Sequence, residues 1–323
     1  MLKPSLEQLG SYDIWGDYQP QSTTQTNSTA STKKHSICWL NQFSALKIFG
    51  AEAERFLQGQ LTCNLEQVST QSVHYGACCN AKGRMVANFI ISFDGESYWL
   101  ILPSLSADIL EKHLQKYKVF FKATIENCQQ SHLILGQWSD GQAGSAQHNE
   151  NSQILQFNNQ RSIKIITNDT SERLIHLTST LNWQIENIQQ GIHFVTAEQS
   201  EIWVPQHINW HQLNGVSFNK GCYTGQEIIA RLQYLGKTKK ALFHYRSQTS
   251  PLVDSLSITP GQALFNSQGK NLGEILSCRQ LNKESESHWE LLAVINSASP
   301  DEVMYLTDSS GFPITLQNLS YTE

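Results

Sequence analysis

The sequence predicts an α+β fold that ends in a small antiparallel β-barrel. Helical and strand patterns are mixed along residues 36–236, whereas short strands separated by turn signals fill residues 237–323. A chain of 323 residues is too long for one simple core, which favours two or three structural units. We therefore expect a disordered tail over residues 1–35, an α+β region of two subdomains over 36–236, and the barrel over 237–323.

The N-terminal tail is predicted from composition. Residues from about Gln19 to Lys34 are polar and of low complexity, with almost no apolar side chain to bury. Such segments remain disordered because burial cannot offset the loss of chain entropy. We expect order to begin near Ile37.

The α+β region is predicted from apolar periodicity, with period two for strands and about 3.6 for helices. A hairpin is expected over Tyr75–Phe93, with its turn at Asn80–Gly83. Single strands are expected at Ser44–Phe49, Tyr98–Leu102, Val119–Ile125, Leu133–Leu135, Ile163–Ile166 and Arg173–Leu177. Its helices are expected at Ala51–Gln58, Ser106–Tyr117 and Leu181–Gln190, and residues 141–153 read as a polar loop.

The barrel is predicted from turn signals such as Pro260-Gly261 and Gln268-Gly269, which separate short apolar runs. Its strands are expected at Ala241–Tyr245, Gln262–Asn266, Gly273–Ser277, Trp289–Ile295 and Thr315–Tyr321.

Composition restricts the class of protein. No apolar run approaches the length of a membrane span, and the first residues lack the apolar core of a signal peptide. Seven cysteines without a CxxC pair argue against a disulfide framework or a zinc ribbon, and we expect no metal site. The reducing cytoplasm is therefore the expected compartment, and nothing requires more than a monomer.

The most informative segment is the Cys222 strip, Lys220-Gly221-Cys222-Tyr223-Thr224-Gly225-Gln226-Glu227. Thr224 and Glu227 have the spacing of a capping box, which predicts Thr224 as the N-cap of a helix. A helix N-terminus and the charge of Lys220 would both lower the pKa of the Cys222 thiol. The alternative is a cysteine packed in a tight turn for its size, and residue chemistry alone leaves the two readings balanced.

Three chemical roles are open to Cys222: a soft ligand for iron, a nucleophile or a redox-sensitive thiol. A single thiolate does not hold an iron–sulfur cluster by itself, because such clusters need several protein ligands. A transient role shared with a partner is therefore preferred to a stable cluster.

The chain resembles the folate-binding YgfZ proteins, which are relatives of the glycine-cleavage aminomethyltransferase and include iron–sulfur assembly factors. The resemblance extends from about Ile37 to the C-terminus and is strongest in the Cys222 strip. Weaker matching strips, in the same order, are Phe56 to Thr62, Asn80 to Arg84, Tyr117 to Phe120 and Val204 to Gln206.

This resemblance implies an aminomethyltransferase-like fold with a tetrahydrofolate-type ligand in a central channel. It further implies a role in maintaining iron–sulfur clusters for partner enzymes such as the tRNA methylthiotransferase, and hence in tRNA modification. The implied chemical residues are Cys222 and Lys220, and Lys220 could instead bind the glutamate tail of the folate. The implied folate contacts are Phe43 and Trp183, which would flank the ring, together with Tyr223, Glu227 and Arg231.

One departure separates this chain from the aminomethyltransferase. Where that enzyme carries a pair of acidic residues, this sequence has Ala87 and Asn88, and neither side chain transfers a proton near neutral pH. We therefore expect an accessory protein rather than a classical enzyme. The alternative is a folate-dependent aminomethyl transferase or demethylase with a carboxylate supplied from elsewhere. A third reading, direct tRNA binding, is disfavoured by the net charge of −5.

Overall fold

The computed structural model describes residues 3, 6–7, 10–13, 16–20, 36–139, 141–149, 152–169, 177–236, 238–247, 257–283, 286–296, 303–306 and 312–319. The chain divides into two compact units. The first contains residues 1–180, 194–202 and 214–226, and the second contains residues 181–193, 203–213 and 227–323.

Unit 1 contains strands from three sheets together with helices. Its strands are β1 (Gly10–Tyr12), β2 (Tyr18–Pro20), β3 (Ile37–Trp39), β4 (Phe43–Phe49), β5 (Val73–Cys79), β6 (Met85–Phe93), β7 (Ser97–Pro103), β8 (Thr124–Asn127), β9 (His132–Trp138), β10 (Ser145–Asn149), β11 (Ser152–Gln156), β12 (Arg161–Thr167) and β13 (Leu177–Thr178). Its helices are α1 (Ala53–Gln58) and α2 (Ser104–Lys118), and short 3-10 helices occur at Leu65–Gln67 and Ala197–Gln199.

The main core of unit 1 lies on a five-stranded sheet in the order β5-β6-β7-β4-β8. Alternate residues of β4 and β7, such as Leu46 and Leu100, share this core with Leu110 and Leu114 of α2. The period of two in the strands and the i, i+4 spacing in the helix bring these side chains to facing surfaces. The hairpin predicted over Tyr75–Phe93 is confirmed as β5 and β6, paired antiparallel.

The second sheet of unit 1 has the order β10-β11-β12-β9-β3-β13. Its β10–β11 hairpin occupies residues that we predicted as a polar loop over 141–153, so that prediction was wrong. β10 is an edge strand, and its polar side chains remain accessible while Ala146 is buried. An edge strand needs few apolar residues, so periodicity gave little signal.

One predicted strand differs from the structure, and another lies mostly outside the described residues. The strand expected over Val119–Ile125 begins only at Thr124, because α2 continues to Lys118 and a turn follows it. The strand expected over Arg173–Leu177 is described only as β13, Leu177–Thr178, since residues 170–176 lie outside the described residues.

Part of the predicted tail is ordered, so the expectation that order begins near Ile37 was wrong for residues 10–13 and 16–20. The strands β1 and β2 pair antiparallel. Tyr18 is buried against Trp39, with ring centroids 5.0 Å apart, and its hydroxyl donates to the Leu6 carbonyl at 3.0 Å. This aromatic anchor offsets the polar composition around it. Residues 1–2, 4–5, 8–9, 14–15 and 21–35 of the predicted tail lie outside the described residues.

Unit 2 contains the predicted barrel, which is confirmed. Its strands are β14 (Lys240–Ser247), β15 (Ala263–Asn266), β16 (Asn271–Lys283), β17 (Glu286–Asn296), β18 (Met304–Tyr305) and β19 (Pro313–Gln317). They close antiparallel in the order β14-β17-β16-β15-β18-β19. The short strand β18 was missed, and β19 ends at Gln317 instead of reaching Tyr321.

Unit 2 also contains three segments that precede residue 237. The boundary predicted between residues 236 and 237 therefore separates the barrel from other elements of its own unit. These segments include α3 (Leu181–Gln189), the 3-10 helix Pro205–Ile208 and nearly all of α4 (Gln226–Tyr234). The side chain of Asn209 donates to the Leu242 carbonyl of β14 at 2.9 Å, which ties one such segment to the barrel.

A buried carboxylate connects α3 to the barrel. Glu290 of β17 is 1% exposed and accepts hydrogen bonds from His244 at 2.6 Å, from Arg246 at 2.7 and 3.0 Å, and from Gln189 of α3 at 3.2 Å. Burial alone would raise the pKa of Glu290, but the bonds from His244 and Arg246 lower it to about 2. Glu290 therefore stabilises the fold as a carboxylate.

No helix in the described ranges is long and apolar enough to cross a membrane.

We predict that Glu290→Gln destabilises the protein by about 3 kcal/mol at neutral pH, because it removes a buried charge from its donors. The folded pKa lies below the unfolded value of 4.5, so this stabilisation is present above about pH 4.5 and disappears as pH falls toward 2. Urea unfolding at pH 7 and at pH 3 measures both effects. Glu274→Gln, a half-buried glutamate of β16, is the control. Equal losses for the two variants at pH 7 would contradict the assignment.

Candidate functional site around Cys222

Cys222 lies on an exposed loop of unit 1, between residue 214 and the start of α4. The other six cysteines of the chain are buried: Cys38, Cys63, Cys78, Cys79, Cys128 and Cys278. Burial raises the pKa of the Cys63 thiol to about 11 and that of Cys78 to about 12, so both stay protonated at neutral pH. Cys222 is therefore the one thiol that can meet a partner without local unfolding.

Lys220 fixes the beginning of this loop. Its ammonium nitrogen donates to the backbone carbonyls of Gln58, Leu61 and Cys63, at 2.8, 2.8 and 2.7 Å. Gln58 is the last residue of α1, where carbonyls lack partners inside the helix and the helix dipole favours a cation. An ammonium has three N–H donors, and all of them are used here.

This geometry points to a positioning role for Lys220, since no N–H remains for the Cys222 thiol or for a folate carboxylate. Burial lowers the pKa of Lys220 to about 8, and Cys63 and Glu66 act in the opposite direction. The predicted chemical role of Lys220 remains a prediction. The helix end at Gln58 and the matching strip over Phe56 to Thr62 were the signals that could have suggested a cap.

The end of the loop packs against the turn of the β5–β6 hairpin. Gly225 has φ +84°, and a Cβ atom there would lie 2.5 Å from the Asn80 carbonyl oxygen and 3.0 Å from the Gly83 Cα. The N–H of Thr224 donates to the Gly59 carbonyl at 3.2 Å. Two of the weaker matching strips, Phe56 to Thr62 and Asn80 to Arg84, thus contact the Cys222 loop in unit 1 and hold it in place.

The predicted N-cap at Thr224 is not formed. Helix α4 begins at Gln226, directly after Gly225, and the Thr224 hydroxyl donates instead to the Gln60 side chain at 3.5 Å. The close approach to residues 80–83 determines the conformation of this segment, and that approach is invisible in the local sequence.

Tyr223, predicted to contact folate, points inward. It is 6% exposed, its ring lies 5.3 Å from the Lys220 nitrogen, and its buried hydroxyl has no hydrogen-bond partner. Burial and the nearby Cys79 raise the pKa of its phenol, so it remains protonated. The unmatched hydroxyl is a polar group for which the protein itself supplies no partner.

Glu227 and Arg231, the other predicted contacts on α4, are both exposed. The i, i+4 ion pair that their spacing allows is absent from the described part of the chain. Trp183 lies on α3 in unit 2 and is 3% exposed, so most of its ring is packed within the protein. The contacts of these three residues with folate stay predictions.

Phe43 forms an aromatic pair that the sequence did not reveal. Its ring is half-buried and lies edge-to-face with Phe194, with centroids 5.2 Å apart. The neighbouring Val195 is held on both sides, because its N–H donates to Asn88 at 2.7 Å and its carbonyl accepts from Ser106 at 2.8 Å. Phe194 follows no motif, so no sequence signal identified it.

Comparison with known proteins identifies the relatives of this chain. Residues 5–137 match the GCVT N-terminal domain family. The tRNA-modifying protein YgfZ of Colwellia psychrerythraea is 29% identical, over 93% of this chain and 98% of that protein. YgfZ of Yersinia pestis (strain Pestoides F) is 28% identical, over 88% of this chain and 91% of that protein. The chain is therefore similar to the YgfZ proteins over most of its length.

Comparison with solved structures identifies the fold. The crystal structure of glycine cleavage system aminomethyltransferase T from Bartonella henselae matches with a TM-score of 0.73, covering 100% of this chain and 97% of that one, at 12% identity. At this identity the match shows the fold alone. The predicted resemblance to YgfZ and the predicted aminomethyltransferase-like fold are therefore confirmed.

We predict that Lys220→Met destabilises the protein by about 3 kcal/mol, because it leaves three inward-facing carbonyls without their charged donor. Chemical unfolding measures the loss. Lys82→Met, an exposed lysine of the neighbouring turn, should change stability by no more than about 0.5 kcal/mol. A Lys220 variant as stable as the Lys82 variant would show that the ammonium does not hold the loop.

The two glycines of the strip give a matched pair. Gly225→Ala should cost at least about 2 kcal/mol, since alanine disfavours the positive φ and its Cβ meets the Asn80 carbonyl. Gly221→Ala should be nearly neutral, because no atom lies within 4 Å of a Cβ placed there. Thermal unfolding of the two variants tests this difference, and equal losses would refute it.

Proposed function

We propose that this protein is a folate-binding accessory factor for the assembly or repair of iron–sulfur clusters. It would support radical enzymes that thiomethylate tRNA, and it would thereby act in tRNA modification. The printed name of its relatives, tRNA-modifying protein, supports the coarser statement, and the GCVT domain match supports the folate.

The observation that carries the proposal is the contrast between Cys222 and the other six cysteines. One thiol is exposed on a loop that Lys220 and Gly225 hold in place, and the others are buried. A thiolate is a soft ligand that suits iron. Because one thiolate cannot hold a cluster, Cys222 would act transiently, with the remaining ligands supplied by the partner enzyme.

The rings of Phe43 and Phe194 form a half-buried aromatic surface in unit 1, on which a pterin ring could stack. Folate would supply one-carbon or redox chemistry when bound. Asn88, at the position where aminomethyltransferases carry a catalytic carboxylate, accepts the Val195 N–H, so it orders the backbone next to Phe194. This arrangement gives no support to aminomethyl transfer with Asn88 as the base.

The thiol role is tested in a strain that lacks this protein. Cys222→Ser should leave thiomethylated tRNA nucleosides, measured by mass spectrometry, at the level of the null strain. Cys128→Ala removes a buried thiol and should restore them, provided that both variants accumulate to wild-type levels. Full restoration by Cys222→Ser would eliminate the thiol role.

The folate role is tested separately by titrating the purified protein with tetrahydrofolate and following tryptophan fluorescence. Wild type should show saturable quenching, and Phe43→Ala should bind at least about tenfold more weakly, since it removes a stacking surface. Trp183→Ala should lose most of the quenching if that indole lies beside the folate. Phe120→Ala, an exposed aromatic at the end of α2, should bind as wild type does. Absence of quenching in the wild type would rule out the folate role.

A further inference from the structure

The strip Tyr117 to Phe120 is one of the two matching strips, with Val204 to Gln206, that do not contact the Cys222 loop in the arrangement described above. It lies at the end of α2, where two large apolar side chains project into solvent. Val119 is 75% exposed and Phe120 is 81% exposed, with Tyr117 beside them. We call this surface the α2-end patch, and it consists of Tyr117, Val119 and Phe120 with the flanking lysines Lys112, Lys116, Lys118 and Lys122.

The backbone under the patch is fixed. The Phe121 N–H donates to the Lys118 carbonyl at 2.8 Å, and the Phe121 ring packs against Phe56 in the core, with centroids 5.4 Å apart. The Lys122 N–H donates to the Glu52 carboxylate at 2.9 Å, and the Lys122 carbonyl accepts the Glu52 N–H at 3.2 Å. Val119 and Phe120 are thus presented by an anchored turn, so binding there would cost little ordering entropy.

Lysines are the charged residues of the segment that carries these side chains, and the Glu52 carboxylate lies below them at the Lys122 N–H. Residues 112–122 contain four lysines and no acidic residue, in a chain whose net charge is −5. Lys116 and Lys118 lie in the last turn of α2, where they also favour the helix dipole. The dipole does not account for two exposed apolar side chains beside them, whereas an apolar centre with a charged rim is typical of a protein interface.

We propose that the α2-end patch is the docking surface for the partner enzyme of the proposed function, on which this inference rests. The partner would contribute an apolar side chain that covers Phe120 and Val119, surrounded by carboxylates that pair with the lysines. The positive rim selects an acidic partner surface and speeds its approach. A protein is favoured over RNA because the patch includes an aliphatic side chain, which offers no stacking surface, and because the chain as a whole is acidic.

The test measures binding of the purified protein to the purified tRNA methylthiotransferase of the same organism by biolayer interferometry. Phe120→Ala should weaken binding about tenfold or more, as expected for an aromatic residue at the centre of an interface. Lys116→Glu should weaken it and reduce its dependence on salt. Leu105→Ala is the matched control, because Leu105 is 62% exposed on the first turn of the same helix, and it should bind within about twofold of wild type.

The outcomes separate this inference from the proposed function. Unchanged binding by both Phe120→Ala and Lys116→Glu, or no binding by the wild type, overturns the docking surface while the Cys222 and folate tests stand by themselves. Patch-dependent binding together with full restoration by Cys222→Ser would retain the surface and remove the thiol role. Parallel titrations with bulk tRNA and with vesicles containing phosphatidylglycerol are included. If the variants bind the partner enzyme as wild type does but lose binding to tRNA or to the vesicles, the patch binds RNA or lipid and the proposal is wrong.

Discussion

The ammonium of Lys220 and the three carbonyls it binds form the contact on which the candidate site depends. Those carbonyls follow the end of α1, so one lysine satisfies a helix terminus and anchors the start of the Cys222 loop. Gly225 secures the other end, because only a residue without Cβ fits against the turn at Asn80. Cys222 is exposed between two fixed points, which combines accessibility with a defined position.

A second consequence concerns the division of roles among polar residues. The amide oxygen of Asn88 accepts the Val195 N–H and so orders the backbone there. A buried amide of this kind serves geometry, because it forms hydrogen bonds and does not titrate. Glu290 plays a comparable part in the barrel, where its charge holds α3 to β17. Asn88 and Glu290 are thus buried polar groups that serve positioning, whereas the Cys222 thiol is exposed.

The turn after α2 shows that neighbouring residues of the same type can differ in burial. Phe121 faces the core and Phe120 faces solvent, so adjacent residues of one type serve packing and presentation. A run of apolar residues in the sequence does not tell which of them is covered. The strand predicted over Val119–Ile125 begins only at Thr124, because α2 continues to Lys118 and a turn follows it. Whether such a side chain is buried depends on contacts with residues distant in the sequence, as Phe56 contacts Phe121.

By itself the sequence determined the α+β class, the barrel and the β5–β6 hairpin, because periodicity and turn residues are local signals. It also identified the Cys222 strip as the candidate site, because a dense motif is a local signal as well. Only the tertiary structure decided what Lys220 binds, why Gly225 is required and that Phe194 meets Phe43. Each of these contacts joins residues far apart in the chain, and no local pattern encodes such a pairing. The N-terminal strands were missed for the same reason, since Tyr18 is ordered by Trp39 and not by its own polar surroundings.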